Sequence, residues 1–415
     1  MSQFHPATAT SFTRLLDPAV RHDPYPVYAE LRRDGPLWLP HMPAAVVTGY
    51  EDCARLLREP RLSSERWRFE GAAAGEDAIP WDAPSSFFQP SFLSLDPPDH
   101  TRLRGLVARA FGQATVARLA PGIEALVDRL LDRVDEADEF DVMAGLAYPL
   151  PVTIICRMLG VPVEDEALFH TWSAGLTRFM EGLAFAAAGR ENDLDWLPNL
   201  LEMHRYVEEL IAVRRTAPED DLISALIAVE DGGDRLTPDE LASTIVLLLV
   251  TGHETTVNLI GNGYLALLRN REHLDRLRTE PAMAESVVEE TLRYDPPVQM
   301  AVRVAAEPIE VGTLPLPRNS LVFLLLGAAH RDPAAHPDPD RFDPTRPEIR
   351  HLAFGLGHHY CIGAPLARLQ GRLALTRLAQ RLVDAELVLD PPPYRENLNL
   401  HGPSALHVTC GDVIR

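Results

Sequence analysis

Hydrophobic positions recur with helical spacing across most of the stretch from Thr101 to about Ala282, so the middle of the chain is predicted to be helical. Pro149, Pro151, Pro162, Pro198 and Pro218 punctuate that pattern and are expected to separate successive helices. An earlier helix is expected at Pro26 to Arg33, and an alternating apolar segment lies near Ala45 to Thr48. Past the helical stretch, Val302 to Ala305, Leu321 to Leu326, Glu386 to Leu389 and Leu406 to Thr409 predict a minor β part between turns. The Asp-, Pro- and Arg-rich stretch Arg331 to Pro347 has no period and is expected to be an irregular but packed meander. The fold class is mainly α with a small β part. With no linker-like segment and no fixed repeat, residues 1–415 are expected to form one domain, long enough to bury a cofactor.

One helix breaks the ordinary pattern. Thr237-Pro238-Asp239-Glu240 has the form of a capping box, and no further Pro occurs until Pro281, so a helix is predicted from here to about Arg269. Its first turns, LASTIVLLLV, are apolar all round, which predicts burial on every side. Thr251-Gly252-His253-Glu254-Thr255-Thr256 then places a glycine, which weakens a helix by about 1 kcal/mol relative to Ala, and a carboxylate in that core helix. Either the helix emerges into solvent after Val250, or it distorts at Gly252 and opens a groove where Glu254 and Thr255 handle protons beside a ligand.

The most specific signal is Phe354-Gly355-Leu356-Gly357-His358-His359-Tyr360-Cys361-Ile362-Gly363, which leads through Ala364-Pro365 into a helical stretch, Leu366 to Val383. A sulfur just ahead of a helix N-terminus faces unpaired N–H groups and the positive end of the dipole, which favour thiolate over thiol. Gly355, Gly357 and Gly363 are expected to remove side chains where a flat macrocycle would lie, with Phe354 covering the sulfur. A thiolate pushes electron density onto a bound iron and favours O–O cleavage. His358 and His359 taken alone are ordinary surface or core histidines.

Composition narrows the function classes. The balance of 39 basic against 60 acidic residues, net −21, argues against nucleic acid and anionic membranes as partners. All 39 basic residues are Arg, which with 36 prolines suggests a GC-rich bacterial genome. Cys53, Cys156, Cys361 and Cys410 are far apart with no CxxC pair, which argues against a disulfide framework or structural zinc and fits a reducing cytoplasm. No leader-like or membrane-anchoring segment is evident, the longest strongly apolar run being Ile245 to Val250. Trp67, Phe69, Trp81, Phe87, Phe88 and Phe92 crowd one loop, either a hydrophobic flap on the core or the lid of an apolar pocket.

Phe354 to Gly363 resembles the heme-binding signature of the cytochromes P-450, with Cys361 as the proximal ligand. Thr251 to Thr256 resembles that family's oxygen-activating segment, which implies Glu254 and Thr255 as its acid–alcohol pair. Glu290-Thr291-Leu292-Arg293 resembles the ExxR motif, and Arg331-Asp332-Pro333 through Phe342-Asp343-Pro344 the meander. As an i,i+3 pair, Glu290 and Arg293 would be a modest surface interaction. The resemblance makes them a structural ion pair holding the cysteine loop. It also implies that His100, Arg104, Arg303 and His359 hold the heme propionates, for which Arg geometry is suited. Phe354, Gly357 and Gly363 would lie against the macrocycle. The likeness runs from about His22 to the C-terminus and is closest to the soluble bacterial class that tailors polyketides and other natural products. Two positions depart from the pattern: Thr251 stands where Ala is usual, and His330 where Asn commonly precedes Arg-Asp-Pro.

The resemblance therefore implies a heme b monooxygenase, cytoplasmic, that hydroxylates or epoxidises a mid-sized hydrophobic natural product, free or attached to a carrier protein. No GxGxxG follows a predicted strand, so a separate ferredoxin and its NAD(P)H-dependent reductase are implied as electron source. Arg102, Arg109, Arg368 and Arg372 are either a docking patch for that acidic partner or ordinary solvated arginines. The implied pocket is Phe87, Phe88, Trp172, Phe179, Val250, Thr251, Val298, Met300 and Leu400, residues that would otherwise be core. Rival classes are a heme-thiolate enzyme of different reaction (oxidative coupling, nitration or peroxide use) and a heme sensor or carrier without turnover.

Overall fold

The computed structural model of the chain describes residues 12–39, 43–65, 84–134, 139–166, 168–169, 172, 197–229 and 233–414. Helices α1 (Tyr25–Arg33) and α2 (Tyr50–Leu56) come first, followed by α3 (Asp99–Ala110), α4 (Gln113–Leu131), α5 (Pro149–Leu159), α6 (Leu197–Thr216) and α7 (Leu222–Ala228). The central pair α8 (Pro238–Thr251) and α9 (Glu254–Arg269) precedes α10 (Arg271–Thr279), α11 (Ala284–Tyr294), α12 (Leu326–His330) and α13 (Ala364–Arg381). Helix α13 packs against α4, α9, α10 and α11, so the segment that follows the cysteine is seated in the main apolar core.

Strands β1 (Leu37–Trp38), β2 (Ala44–Val47) and β3 (Leu62–Ser63) lie before α3, and β4 (Phe140–Asp141) lies before α5. Later come β5 (Met300–Ala305), β6 (Ile309–Val311), β7 (Leu314–Leu316) and β8 (Leu321–Leu325). The main sheet is five-stranded in the order β1-β2-β8-β5-β3, with β2 and β8 parallel and the other pairs antiparallel. Alternation was the expected signal near Ala45, yet every residue of β2 is buried. The reason is that this sheet has core on both faces: Ala44, Val46 and Phe323 pack into one apolar cluster, and Ala45, Val47 and Leu324 into another.

Pro149 and Pro151 mark a helix boundary, as expected: they sit in the first turn of α5, where a missing N–H costs nothing. Pro198 likewise lies at the start of α6. The capping box is present: Thr237 Oγ1 accepts from the Glu240 N–H at 3.2 Å and Glu240 Oε2 from the Thr237 N–H at 2.8 Å. Leu241 to Val250 are buried throughout. Pro238–Arg269 together are long and apolar enough to cross a membrane, but 78% of their most apolar stretch is buried among other elements, as in a core helix. The meander 331–347 carries no helix or strand, and its backbone is tied down by arginines.

Candidate active site

The cysteine loop is built by two left-handed glycines. Gly355 (φ 68°) and Gly357 (φ 73°) adopt a conformation that L side chains rarely do. They shape a turn closed by the Gly355 N–H donating to Leu352 O and the Cys361 N–H donating to Phe354 O, each at 2.8 Å. These two glycines therefore serve the turn first, whereas Gly363 has an ordinary φ and a Cβ there would meet Cys361 Sγ at a tolerable 3.8 Å. Burial pushes the Cys361 thiol up; the Gly363 and Ala364 N–H groups and the nearby Arg104 and Arg368 cations pull it down, but not enough to offset burial. The expected preference for thiolate at the helix mouth is thus outweighed by desolvation in the protein alone.

Opposite the loop, the central helix breaks as its residues require. At Gly252 a Cβ would stand 2.6 Å from Leu248 O, so no side chain fits without a shift. His253 is distorted within the right-handed region (φ −112°, ψ −53°), and α9 restarts at Glu254. Thr251 Oγ1 donates to Leu247 O at 2.7 Å and Thr255 Oγ1 to Thr251 O at 3.1 Å, side-chain bonds that compete with the helical ladder. The extra hydroxyl of Thr251 is therefore engaged along its own helix.

Glu254 is buried. Burial raises its carboxyl, but the charges of His253 and Arg395 and the hydrogen bond from Arg395 outweigh that and hold it below the usual carboxylate range. Arg395 Nη1 lies 2.5 Å from Glu254 Oε2, and His253 Nε2 lies 3.6 Å from Oε1. Arg395 comes from 141 residues away, and nothing in the sequence near Glu254 pointed to it.

Between the break and the loop lies a cavity of about 320 Å³, bounded by Cys361, Phe354 and Gly355 on one side and by Val250, Thr251 and Thr255 on the other. Val298, Met300 and Leu400 line it as expected pocket residues. Phe87 and Trp172 do not. Phe87 packs edge-on against His204, and Trp172 is core, stacked between Phe169 and Tyr206 with its N–H toward Glu202 at 3.2 Å. The Phe88 side chain and Phe179, like Trp67, Phe69 and Trp81, lie outside the described residues. Phe92, one of the aromatics of the expected flap or lid, lines the cavity, and so do Leu93, Ile155, Met158, Leu247 and Leu248, which were not singled out because apolar core and apolar pocket share one composition.

At the cavity's polar corner the structure brings His100, Arg104, Arg303 and His359 together. The rings of His100 and His359 are 4.3 Å apart, Arg104 Nη2 donates to Tyr360 O, and Arg303 and His359 line the cavity. Ser64, missed in the sequence, places its Oγ 2.9 Å from His359 Nε2. Burial, with neighbouring Arg and His side chains, lowers His100 to about 4 and His359 to about 2, so both are neutral at pH 7. Positive charge at this corner therefore comes from Arg104 and Arg303.

The cytochrome P-450 family profile matches residues 36–397. The chain belongs to that family. The cytochrome P-450 CYP164A2 of Mycobacterium smegmatis, solved ligand-free, is 46% identical with a TM-score of 0.89 over 97% of this chain and 100% of that one. The cytochrome P-450 monooxygenase PikC of Streptomyces venezuelae is 40% identical over 89% of this chain and 86% of its own. The cytochrome P-450 BioI, solved with a hexadec-9Z-enoic acid-ligated acyl carrier protein, is 35% identical with a TM-score of 0.85 over 95% of this chain and 99% of that one.

As a cytochrome P-450 the protein is a monooxygenase that binds heme b. The residues present fit that group. His100 is 1% exposed, yet neither ring nitrogen has a partner among the described residues, an arrangement that a buried carboxylate at this corner satisfies. Arg104 and Arg303 supply the matching charge, and the Cys361 sulfur faces the same cavity.

The ExxR pair is buried with both side chains 0% exposed, but it does not hold the cysteine loop directly. Arg293 donates to the carbonyls of His330, Pro339 and Arg341, and Glu290 accepts from the Asp343 N–H, so the pair anchors the meander. The loop's outer support is Glu289, absent from the expected set. Its carboxylate takes Arg368 Nε at 2.6 Å and His351 Nε2 at 3.0 Å, while the Arg368 guanidinium lies over the Phe354 ring at 4.5 Å.

Of the four arginines read either as a docking patch or as ordinary solvated side chains, Arg368 is paired with Glu289, Arg102 with Glu240 and Asp234, Arg372 is exposed and Arg109 has an interaction of its own.

Burial pushes the Glu289 carboxyl up, but hydrogen bonds and charge from His351 and Arg368 hold it at about 2, against an ordinary 4.5. A depressed carboxyl stabilises the fold above its ordinary value and loses that contribution as pH falls from 4.5 through 2. Glu289→Gln is therefore expected to lower stability at pH 7 and to flatten the acid limb of a stability–pH profile over that window. The profile is read by thermal unfolding between pH 7 and pH 2.

Proposed function

We propose that the protein hydroxylates or epoxidises a mid-sized hydrophobic natural product, a polyketide, macrolide or similar secondary metabolite. It would act in the cytoplasm, with electrons from a ferredoxin and an NAD(P)H-dependent reductase. The observation that carries this reading is the apolar cavity with a cysteine sulfur in one wall and an opened helix, bearing a hydroxyl and an acid, in the other. PikC and the polyketide-biosynthesis cytochrome PksS, both similar along most of the chain, support the substrate class. The acyl-carrier complex of BioI supports a carrier-bound substrate as a variant of the same reading.

Heme bound here supplies the reductive activation of dioxygen, one atom going to substrate and the other to water at the cost of two electrons and two protons. Cys361 would ligate the iron, with Phe354, Gly357 and Gly363 against the macrocycle. His100, Arg104, Arg303 and His359 would hold the propionates. Val250, Thr251, Val298, Met300 and Leu400 would orient the substrate and exclude water. Thr255, whose hydroxyl donates to Thr251 O, keeps its lone pairs to accept a hydrogen bond from a cavity water. Glu254 would pass protons inward from the Arg395 side, where the guanidinium is partly exposed.

Thr255→Ala tests the proton path. Product formation should fall on the order of 100-fold while reducing equivalents are diverted to hydrogen peroxide in solution. Unchanged coupling overturns the path. Macrolactones and carrier-bound acyl chains, screened by the Soret shift on binding, test the substrate class; no shift with any of them overturns it.

A further inference from the structure

The buried pair Glu290–Arg293 ends on the meander, and the cysteine loop begins at Leu352, so something must join the two. One side chain does. His330 closes α12 with its ring fully buried. Its carbonyl accepts from Arg293 Nη1 at 3.3 Å, and its ring Nε2 stands 2.7 Å from the backbone nitrogen of Leu352. Leu352 O then takes the Gly355 N–H, and Phe354 O takes the Cys361 N–H. A short relay of hydrogen bonds thus runs from the ion pair to the amide of the heme ligand.

The chemistry of that contact fixes the ring. A backbone N–H can only donate, so Nε2 must be the bare nitrogen and the hydrogen must sit on Nδ1. Burial, with His351, His336 and Arg293 nearby, pushes the ring well below the usual imidazole range, consistent with a neutral acceptor. A buried Leu352 N–H without this acceptor would leave its donor unsatisfied at the base of the loop.

We propose that His330 is a positioning residue for the heme ligand: by accepting the Leu352 N–H it fixes where the cysteine loop starts and so the direction of the Cys361 sulfur. The proposal rests on Cys361 being the iron ligand. It predicts that the acceptor atom matters more than the ring.

The test uses holoenzyme carrying His330→Leu, which keeps bulk without an acceptor, and His330→Gln, whose amide oxygen can reach to about the position of Nε2. Heme release to apomyoglobin, the iron–sulfur stretch by resonance Raman and the reduced carbon monoxide spectrum are compared. His330→Leu should release heme about tenfold faster, as expected for loss of an outer-shell partner, with a broadened iron–sulfur band. His330→Gln should return both towards wild type. Wild-type heme release and band in His330→Leu overturn the proposal, as does failure of His330→Gln to rescue any part of the loss.

Should neither variant retain heme, ring-nitrogen NMR of the wild-type holoenzyme decides. A hydrogen on Nε2 overturns the proposal, and a hydrogen on Nδ1 with a bare Nε2 supports it. If the wild type itself lacks the thiolate spectrum, it is the ligand assignment that has failed; if only the variants match wild type, that assignment stands.

Discussion

Cys361→Ala, reduced under carbon monoxide, should lose the red-shifted Soret band of thiolate ligation and bring product formation below detection, even if heme is retained. The sulfur lines the cavity at the mouth of α13, with the Arg104 and Arg368 cations near enough to favour its thiolate form. A heme held by its propionate contacts alone would keep colour but lose the electron donation that favours O–O cleavage. Cys53, Cys156 and Cys410 cannot substitute: burial pushes all three thiols up, and none of them lines the cavity. A Cys361→Ala enzyme with an unaltered spectrum would remove the basis for every assignment made around the loop, whereas Cys410→Ala should leave the spectrum untouched.

What the sequence disclosed and what it withheld follow from range. The capping box and the cysteine decapeptide are local: their partners lie within a few residues, so spacing alone states the geometry. The break at Gly252 was one of two readings left open, because a glycine and a carboxylate in an apolar helix are a local signal that does not say whether the helix emerges or distorts. Arg395 on Glu254 and Arg368 on Glu289 were not legible, because those contacts join segments 141 and 79 residues apart and any of many arginines would have served. Trp172 and Phe87 were misassigned because an aromatic side chain is equally at home against a substrate or against Tyr206 and His204. The ExxR pair was expected to hold the cysteine loop, whereas its hydrogen bonds run to the meander: residues i and i+3 declare that they meet, not which backbone they hold.

The pair's hold on the meander gives Glu290→Gln the largest expected effect on stability, about 3–5 kcal/mol, seen as a lowered midpoint of denaturant unfolding and poor heme incorporation on expression. The carboxylate accepts from four donors: Nε and Nη2 of Arg293 (2.8 and 2.7 Å), the Asp343 N–H (2.7 Å) and Arg346 Nε (3.2 Å). Glutamine presents an NH2 where one oxygen stood, so a donor meets donors, and Arg293 is left as a buried cation without its counter-charge. Replacing both partners by leucines, which often restores stability where an ion pair is merely buried, should not do so here. The carbonyls of His330 and Pro339 and the Asp343 N–H would lose their partners at once, and Arg341 O would keep only its bond from Arg346. A double-leucine variant as stable as wild type would show that the meander holds itself, and that the pair is dispensable to the fold beneath the cysteine loop.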